Sequence, residues 1–156
     1  MSGNSVGPVR FDSATFTTAS LGDNDPQVGE RAFIAGTDYV FCYNEGGSVI
    51  AAGFGAVPNG GMSVMSVTVS AATSDDAVCG VAVVSIAASS YGWLATRGVV
   101  NVEAGETMVT GELIEVAANG DFAPVSNTTG NAAPAVGKAL DTIATDASGS
   151  AYINCF

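Results

Sequence analysis

The side chains that most often carry catalysis are scarce in this sequence. The chain has 156 residues and no histidine, which excludes Ser–His triads, histidine metal ligands and the usual general base near neutral pH. Its three cysteines, Cys42, Cys79 and Cys155, are far apart and occur in apolar segments. A zinc site would require all three to converge from distant segments. We therefore interpret them as buried free thiols, because an odd, sparse set is no disulfide framework.

One acidic segment could bind a hard cation. Asp23–Asp25, with Glu30 beyond, offers oxygen ligands at alternate positions, as part of a calcium loop would. The full twelve-residue calcium pattern is absent, and Pro26 interrupts the spacing. A solvated loop is therefore the favoured interpretation, and no metal or other cofactor is expected.

The remaining acidic pairs do not suit acid–base catalysis. Asp75 and Asp76 are adjacent, so their carboxylates point to opposite sides of an extended chain. Glu112 and Glu115 also fall on opposite faces of a strand. No glycine-rich phosphate loop follows a strand into a helix. The sequence thus shows no set of residues typical of an active site, and we expect no catalytic activity.

The composition favours a protein that works against neighbouring subunits. Charged residues make up only 12% of the chain, against about a quarter in a typical soluble domain. Such a surface suits burial in a homo-oligomer or larger assembly. The net charge of −11 disfavours nucleic acid as a partner, because nucleic-acid binding relies on lysine and arginine. No signal peptide or membrane-spanning run is evident, so we expect folding in a reducing cytoplasm and no membrane partner.

Two stretches of the chain resemble each other. Gly80–Gly92 and Gly137–Gly149 share glycines, Ile-Ala pairs and alanines at matching positions, 57 residues apart. The register extends upstream to Glu45–Gly53 and Glu103–Gly111, 58 residues apart. These matches predict a duplicated supersecondary unit, spanning about 39–97 and 98–156. The alternative is chance similarity, because Gly, Ala and Val are abundant.

Residues 1–30 differ from the rest of the chain. They are rich in Ser, Thr, Gly and Asp, and they bury too little apolar surface to fold alone. Phe11, Phe16 and Leu21 are isolated apolar residues in this segment. We interpret it as an arm that orders on a neighbour through these three anchors, and a disordered tail is the alternative.

Residues 31–156 read as a β domain made of short strands. Tyr39–Tyr43, Ser63–Ser70 and Trp93–Val102 have β-branched, aromatic or alternating patterns. Further short strands are predicted at Thr107–Thr110, Leu113–Ala117, Phe122–Val125 and Ala151–Phe156, and Asn119-Gly120 predicts a primed hairpin turn. Ala132–Thr145 is ambiguous, with strand and turn favoured over helix because its twin segment is rich in valine.

This pattern predicts an all-β sandwich or barrel built from two similar halves, with an extended N-terminal arm. Each half alone would leave an apolar face exposed, and packing the halves together buries both. The aromatic residues expected in the core or at an interface are Tyr39, Phe41, Phe54, Trp93 and Phe122.

Three segments also resemble known proteins. Tyr39–Val57 and Cys79–Gly98 are similar to small structural proteins of tailed-bacteriophage virions, and Val136–Gly149 resembles the closing segment of capsid decoration (cement) proteins. The resemblance implies a small β protein, often a trimer, on the outer capsid surface. Such proteins bind the major capsid protein and clamp its hexamers against internal DNA pressure. An acidic, sparsely charged protein suits that place, and an arm could add to a strand edge of the shell.

Two other functional classes are also compatible with the sequence. A virion fibre, turret or tail module would bind a host surface and contact the virion through one terminus. An enzyme domain with a carboxylate site would require a deep pocket holding two acidic groups with shifted pKa values.

Overall fold

The computed structural model describes residues 16–17, 25–58, 66–69, 78–117, 119–125 and 135–155. Within these residues the chain forms eleven strands and no helix, which confirms the predicted all-β class. The strands are β1 (Phe16–Thr17), β2 (Arg31–Ile34), β3 (Thr37–Asn44), β4 (Gly55–Pro58), β5 (Ser66–Val69), β6 (Gly80–Ala82), β7 (Ser90–Glu103), β8 (Leu113–Val116), β9 (Phe122–Pro124), β10 (Gly137–Ala139) and β11 (Ser148–Asn154).

The strand pairings close into two small rings that share β7. In the first ring, β3 pairs with β5, β5 with β4, β4 with β6, β6 with β7, and β7 with β3. In the second ring, β7 pairs with β11, and the order continues through β10, β8 and β9. Phe122 of β9 then bridges Ala104, the residue after β7, and closes the second ring. The closing contact is parallel in both rings, and the other pairings in the rings are antiparallel. Each ring is barrel-like, which agrees with the predicted small sandwich or barrel.

The same hydrogen bonds recur in both halves. Ile50 and Ile86 exchange two backbone hydrogen bonds of 2.9 and 2.8 Å, and Met108 and Ile143 exchange two of 2.9 Å. Ile50 and its equivalent Met108 are 58 positions apart, and Ile86 and its equivalent Ile143 are 57 apart, as the sequence comparison predicts. The chain is thus built from two similar halves, and the expected boundary between residues 97 and 98 falls inside the shared strand β7.

The two ring interiors are also equivalent residue by residue. Seven buried apolar residues fill the first ring: Val40, Cys42, Ile50, Ala56, Ala82, Ile86 and Leu94. Their counterparts, 57 to 60 positions later, all belong to the core of the second half: Val100, Val102, Met108, Ile114, Ala139, Ile143 and Ala151. Each ring therefore has its own apolar core, and alternate residues of each strand point outward.

Two equivalent glycines explain the spacing that the sequence shows. A Cβ atom on Gly92 would lie 2.5 Å from the Ile86 side chain, and a Cβ atom on Gly149 would lie 2.5 Å from Ile143. Gly92 lies near the start of β7 and Gly149 near the start of β11, and only glycine leaves room there for the isoleucine side chain.

We expect Gly92→Ala and Gly149→Ala to destabilise the protein by similar amounts, about 1–3 kcal/mol each, because each methyl group overpacks an isoleucine. Urea unfolding of the two variants measures this. Gly47→Ala is the matched control, because a Cβ atom there meets nothing within 4 Å. A cost at one glycine and none at the other would contradict the equivalence of the halves.

Most local predictions agree with the described strands. The ambiguous segment is extended, with β10 at Gly137–Ala139 and no helix over residues 135–145. Asn119 and Gly120 have φ values of 72° and 89°, as a primed turn requires. The predicted strand at Thr107–Thr110 is wrong. Only Met108 forms a bridge there, because the chain turns at Val109–Glu112, where the Glu112 N–H donates to the Val109 carbonyl.

Candidate functional site

Four aromatic side chains form a surface on the outside of the first ring, which we call the aromatic face. Phe41 and Tyr43 alternate with ring-core residues of β3, and Tyr91 and Trp93 lie opposite them on β7. The ring centroids are 5.1 Å apart for Phe41–Trp93, 4.8 Å for Tyr43–Tyr91 and 5.9 Å for Phe41–Tyr91. These separations are those of stacked and tilted aromatic pairs, so the four rings pack as one cluster.

The fold does not require this cluster. The equivalent positions of the second half hold Asn101, Glu103, Ser148 and Ser150, which are polar, and that half closes into the same ring. Because only one of the two similar halves has the aromatic cluster, the cluster is not needed to form the fold that the halves share. The aromatic face is therefore a candidate for a specific interaction.

The aromatic face is covered although it lies outside the ring. Phe41 is fully buried and Trp93 is 5% exposed, while Tyr43 and Tyr91 are half-buried. Strand β1 of the N-terminal segment pairs with β7 beside this face, with Phe16 in register with Tyr91. Backbone pairing thus brings part of residues 1–30 to the aromatic face. Of the other two predicted arm anchors, Phe11 and Leu21 lie outside the described residues.

The other aromatic residues singled out from the sequence lie elsewhere. Tyr39 is half-buried and packs against the core of the second half, and Phe54 is half-buried against the core of the first. Phe122 is fully buried in the core of the second half. The structure therefore brings Phe41 and Trp93 together and leaves Tyr39, Phe54 and Phe122 at separate places.

The three thiols are poor nucleophiles. Burial raises the pKa of Cys42 to about 12, with a smaller contribution from nearby Cys79, and burial likewise raises that of Cys155 to about 12. Burial raises the pKa of Cys79 to about 11. All three are free in the described chain and are protonated at neutral pH.

No cluster of three or more metal-ligating side chains occurs among the described residues. Glu30 accepts a hydrogen bond from the Gln27 backbone at 3.0 Å, whereas Asp23, Asp75 and Asp76 lie outside the described part. The Glu112 carboxylate accepts a bond from the Val109 backbone at 2.6 Å, which stabilises a turn. Among the described residues, no helix is long and apolar enough to cross a membrane.

One carboxyl group has a shifted pKa. Asp121 lies over Gly105, and partial burial raises its pKa above the ordinary value of 3.8. Its own backbone hydrogen bond opposes the shift, and the neighbouring acids Asp146, Glu106 and Glu103 add to it. The raised pKa means that the folded protein binds this proton more tightly than the unfolded chain does.

Stability from Asp121 is thus complete below pH 3.8 and is lost as the pH rises through the raised pKa. We expect Asp121→Asn to melt higher than the wild type at pH 7, and the difference to shrink as the pH falls below 4. Melting midpoints of both proteins across this range test the prediction. A difference that is the same at every pH would contradict it.

The sequence matches no family model and no curated protein. The fold is similar to that of the N base of the head fibre gp8.5 of bacteriophage phi29, a crystal structure. The TM-score is 0.56 with 15% sequence identity, and the match covers 74% of this chain and 94% of the phage chain. At this identity the likeness concerns the fold.

Proposed function

We propose that this chain is a structural protein of a phage virion that decorates the outer capsid surface by binding the major capsid protein. The observation that carries the proposal is the shared fold with the base of a phage head fibre. The same class is the expectation drawn from residues 39–57, 79–98 and 136–149 in the sequence analysis.

The described surface supports a binding function. It offers an aromatic face on one half and few charges, and these suit contact with neighbouring subunits. The net charge of −11 favours the outside of a shell over its DNA-filled interior, because like charges repel. In this proposal the half-buried Tyr43 and Tyr91 of the aromatic face and the N-terminal arm contact the shell, and no reaction is involved.

A second candidate is a head-fibre base or related virion module that presents a host-binding element. The specific observation in its favour is that the similar structure is itself a fibre base. Such a module would also attach to the head, but through one end, and a purified module carrying its fibre would bind host cells.

We also propose that the protein acts as a homo-oligomer, with a trimer favoured. Its low content of charged residues leaves a surface suited to contacts between copies. The resemblance to decoration proteins implies the trimer.

Binding to shells tests the function directly. Purified protein mixed with capsids that lack it should co-sediment at a fixed, saturable ratio to capsid subunits. A protein that binds host cells and leaves the capsids bare would favour the fibre alternative.

Removal of residues 1–30 is expected to leave a folded β domain that binds shells more weakly, because the arm would pair with a strand edge. Circular dichroism checks the fold, and co-sedimentation measures the affinity. If the truncated chain binds as tightly as the full one, the arm does not contact the shell.

A further inference from the structure

An apolar surface lies uncovered on the outside of the second half. Val99, Tyr152, Lys138 and Leu113 are cross-strand neighbours on β7, β11, β10 and β8, and Leu140 follows β10. We call these five residues the outer patch. Its apolar members are 41 to 57% exposed, and Lys138 is exposed as well.

The equivalent residues of the first half are covered. Applying the offset of 57 to 60 positions gives Tyr39, Ala95, Val81, Gly55 and Val83, which we call the joint. Val81 and Ala95 are fully buried in the core cluster of the second half, and Tyr39 and Val83 pack against it. A Cβ atom on Gly55 would lie 2.6 Å from the side chain of Val116 in the second half.

The joint thus shows what fits on the outer patch. In the first half this surface is covered by a unit of the same fold, the second half of the chain. The equivalent surface of the second half, the outer patch, is exposed. Two of its side chains are larger than their counterparts in the joint, because Tyr152 replaces Ala95 and Leu113 replaces Gly55. Exposed valine, tyrosine and leucine side chains grouped around one lysine are typical of an interaction surface.

We propose that a second copy of this chain covers the outer patch, as the second half covers the joint. The proposal deepens the proposed homo-oligomer by naming its contact surface; it rests on the internal contact between halves and does not depend on the virion function. The outer patch differs from the joint at one position in charge, since Lys138 replaces Val81. The chain carries 15 acidic residues against four basic ones, so we expect an acidic residue of the second copy to be the partner of this ammonium group.

Lys138 is the only lysine in the sequence, which makes the contact directly testable in the unmodified protein. A carbodiimide joins an amine to a carboxylate with loss of water when the two are in contact. Equal amounts of ¹⁵N-labelled and unlabelled full-length protein are mixed and coupled. We expect a cross-linked dimer in which a Lys138 peptide of one isotope is joined to an acidic peptide of the other. No mixed-isotope Lys138 peptide would overturn the proposal.

Sedimentation velocity provides a second measurement. We expect the wild type to associate with rising concentration, and Leu113→Glu and Tyr152→Glu to sediment as 15.4 kDa monomers. Val49→Glu is the matched control, because Val49 is 54% exposed and lies outside the outer patch. It should associate like the wild type. At a concentration where the wild type is itself monomeric, all three variants should keep the wild-type melting midpoint, because the replaced side chains are exposed in the single chain.

Three results would contradict self-association through this surface. The wild type could remain a monomer at its highest soluble concentration, the two patch variants could keep the wild-type mass, or the control could dissociate as they do. A monomeric wild type whose patch variants fail to bind capsids would assign the outer patch to the shell instead. Should a patch variant unfold, the cross-link in the unmodified chain decides alone.

Discussion

Replacing Trp93 by alanine is expected to lower the free energy of unfolding by about 3–5 kcal/mol. The indole is 5% exposed and packs against Phe41 at 5.1 Å, so truncation removes a large buried side chain and one aromatic pair. Because Trp93 is a member of the aromatic face, its loss would also expose part of the Phe41 ring that it contacts. Denaturant unfolding measures the change.

The second half supplies a matched control for this variant. Ser150 occupies the equivalent position on β11, and Ser150→Ala should change stability by no more than about 0.5 kcal/mol. A loss below about 1 kcal/mol for Trp93→Ala would mean that the aromatic face contributes little to the folded state, in conflict with its burial.

Phe122→Ala is expected to cost a similar amount, about 3–5 kcal/mol, in the core of the second half. Phe122 is fully buried, and its backbone closes the second ring through Ala104 and a 2.9 Å hydrogen bond from Gly105. The two rings share β7, and Val81 of the first half packs on the second core. We therefore expect one cooperative transition at a lower midpoint.

Phe33→Ala is the control for Phe122→Ala, because Phe33 is 67% exposed and its truncation should change stability by about 0.5 kcal/mol or less. Two separate transitions in the Phe122→Ala variant would show that the rings unfold independently. That result would contradict the claim that the buried contact at the joint couples the unfolding of the two halves.

Local chemistry was enough to predict most of the strands and the duplication. Positive φ at Asn119 and Gly120 is what their residue types favour, and the hairpin follows from them. The spacing of Gly92 and Gly149 was visible because each must leave room for an isoleucine at a fixed distance along the chain. Such short-range requirements fix the residue type at particular positions, so they can be predicted from a single sequence.

The closing of the rings could not be predicted in the same way. It depends on a parallel pairing between β3 and β5 and on the bridge between Ala104 and Phe122, which join segments with no shared pattern. Both faces of β3 are apolar, so the alternation could not show that Phe41 points outward while Val40 and Cys42 point into the ring. The outer patch could not be predicted from the sequence either, because it is recognised by comparison with the joint, whose burial only the structure shows.

The most direct test of the account is a cryo-EM reconstruction of capsids incubated with the full chain. We predict density for the two joined rings on the outer surface of the head, in contact with the major capsid protein at a regular set of positions. Bare capsid surfaces in the presence of saturating folded protein, or density for the module only on the tail, would contradict it.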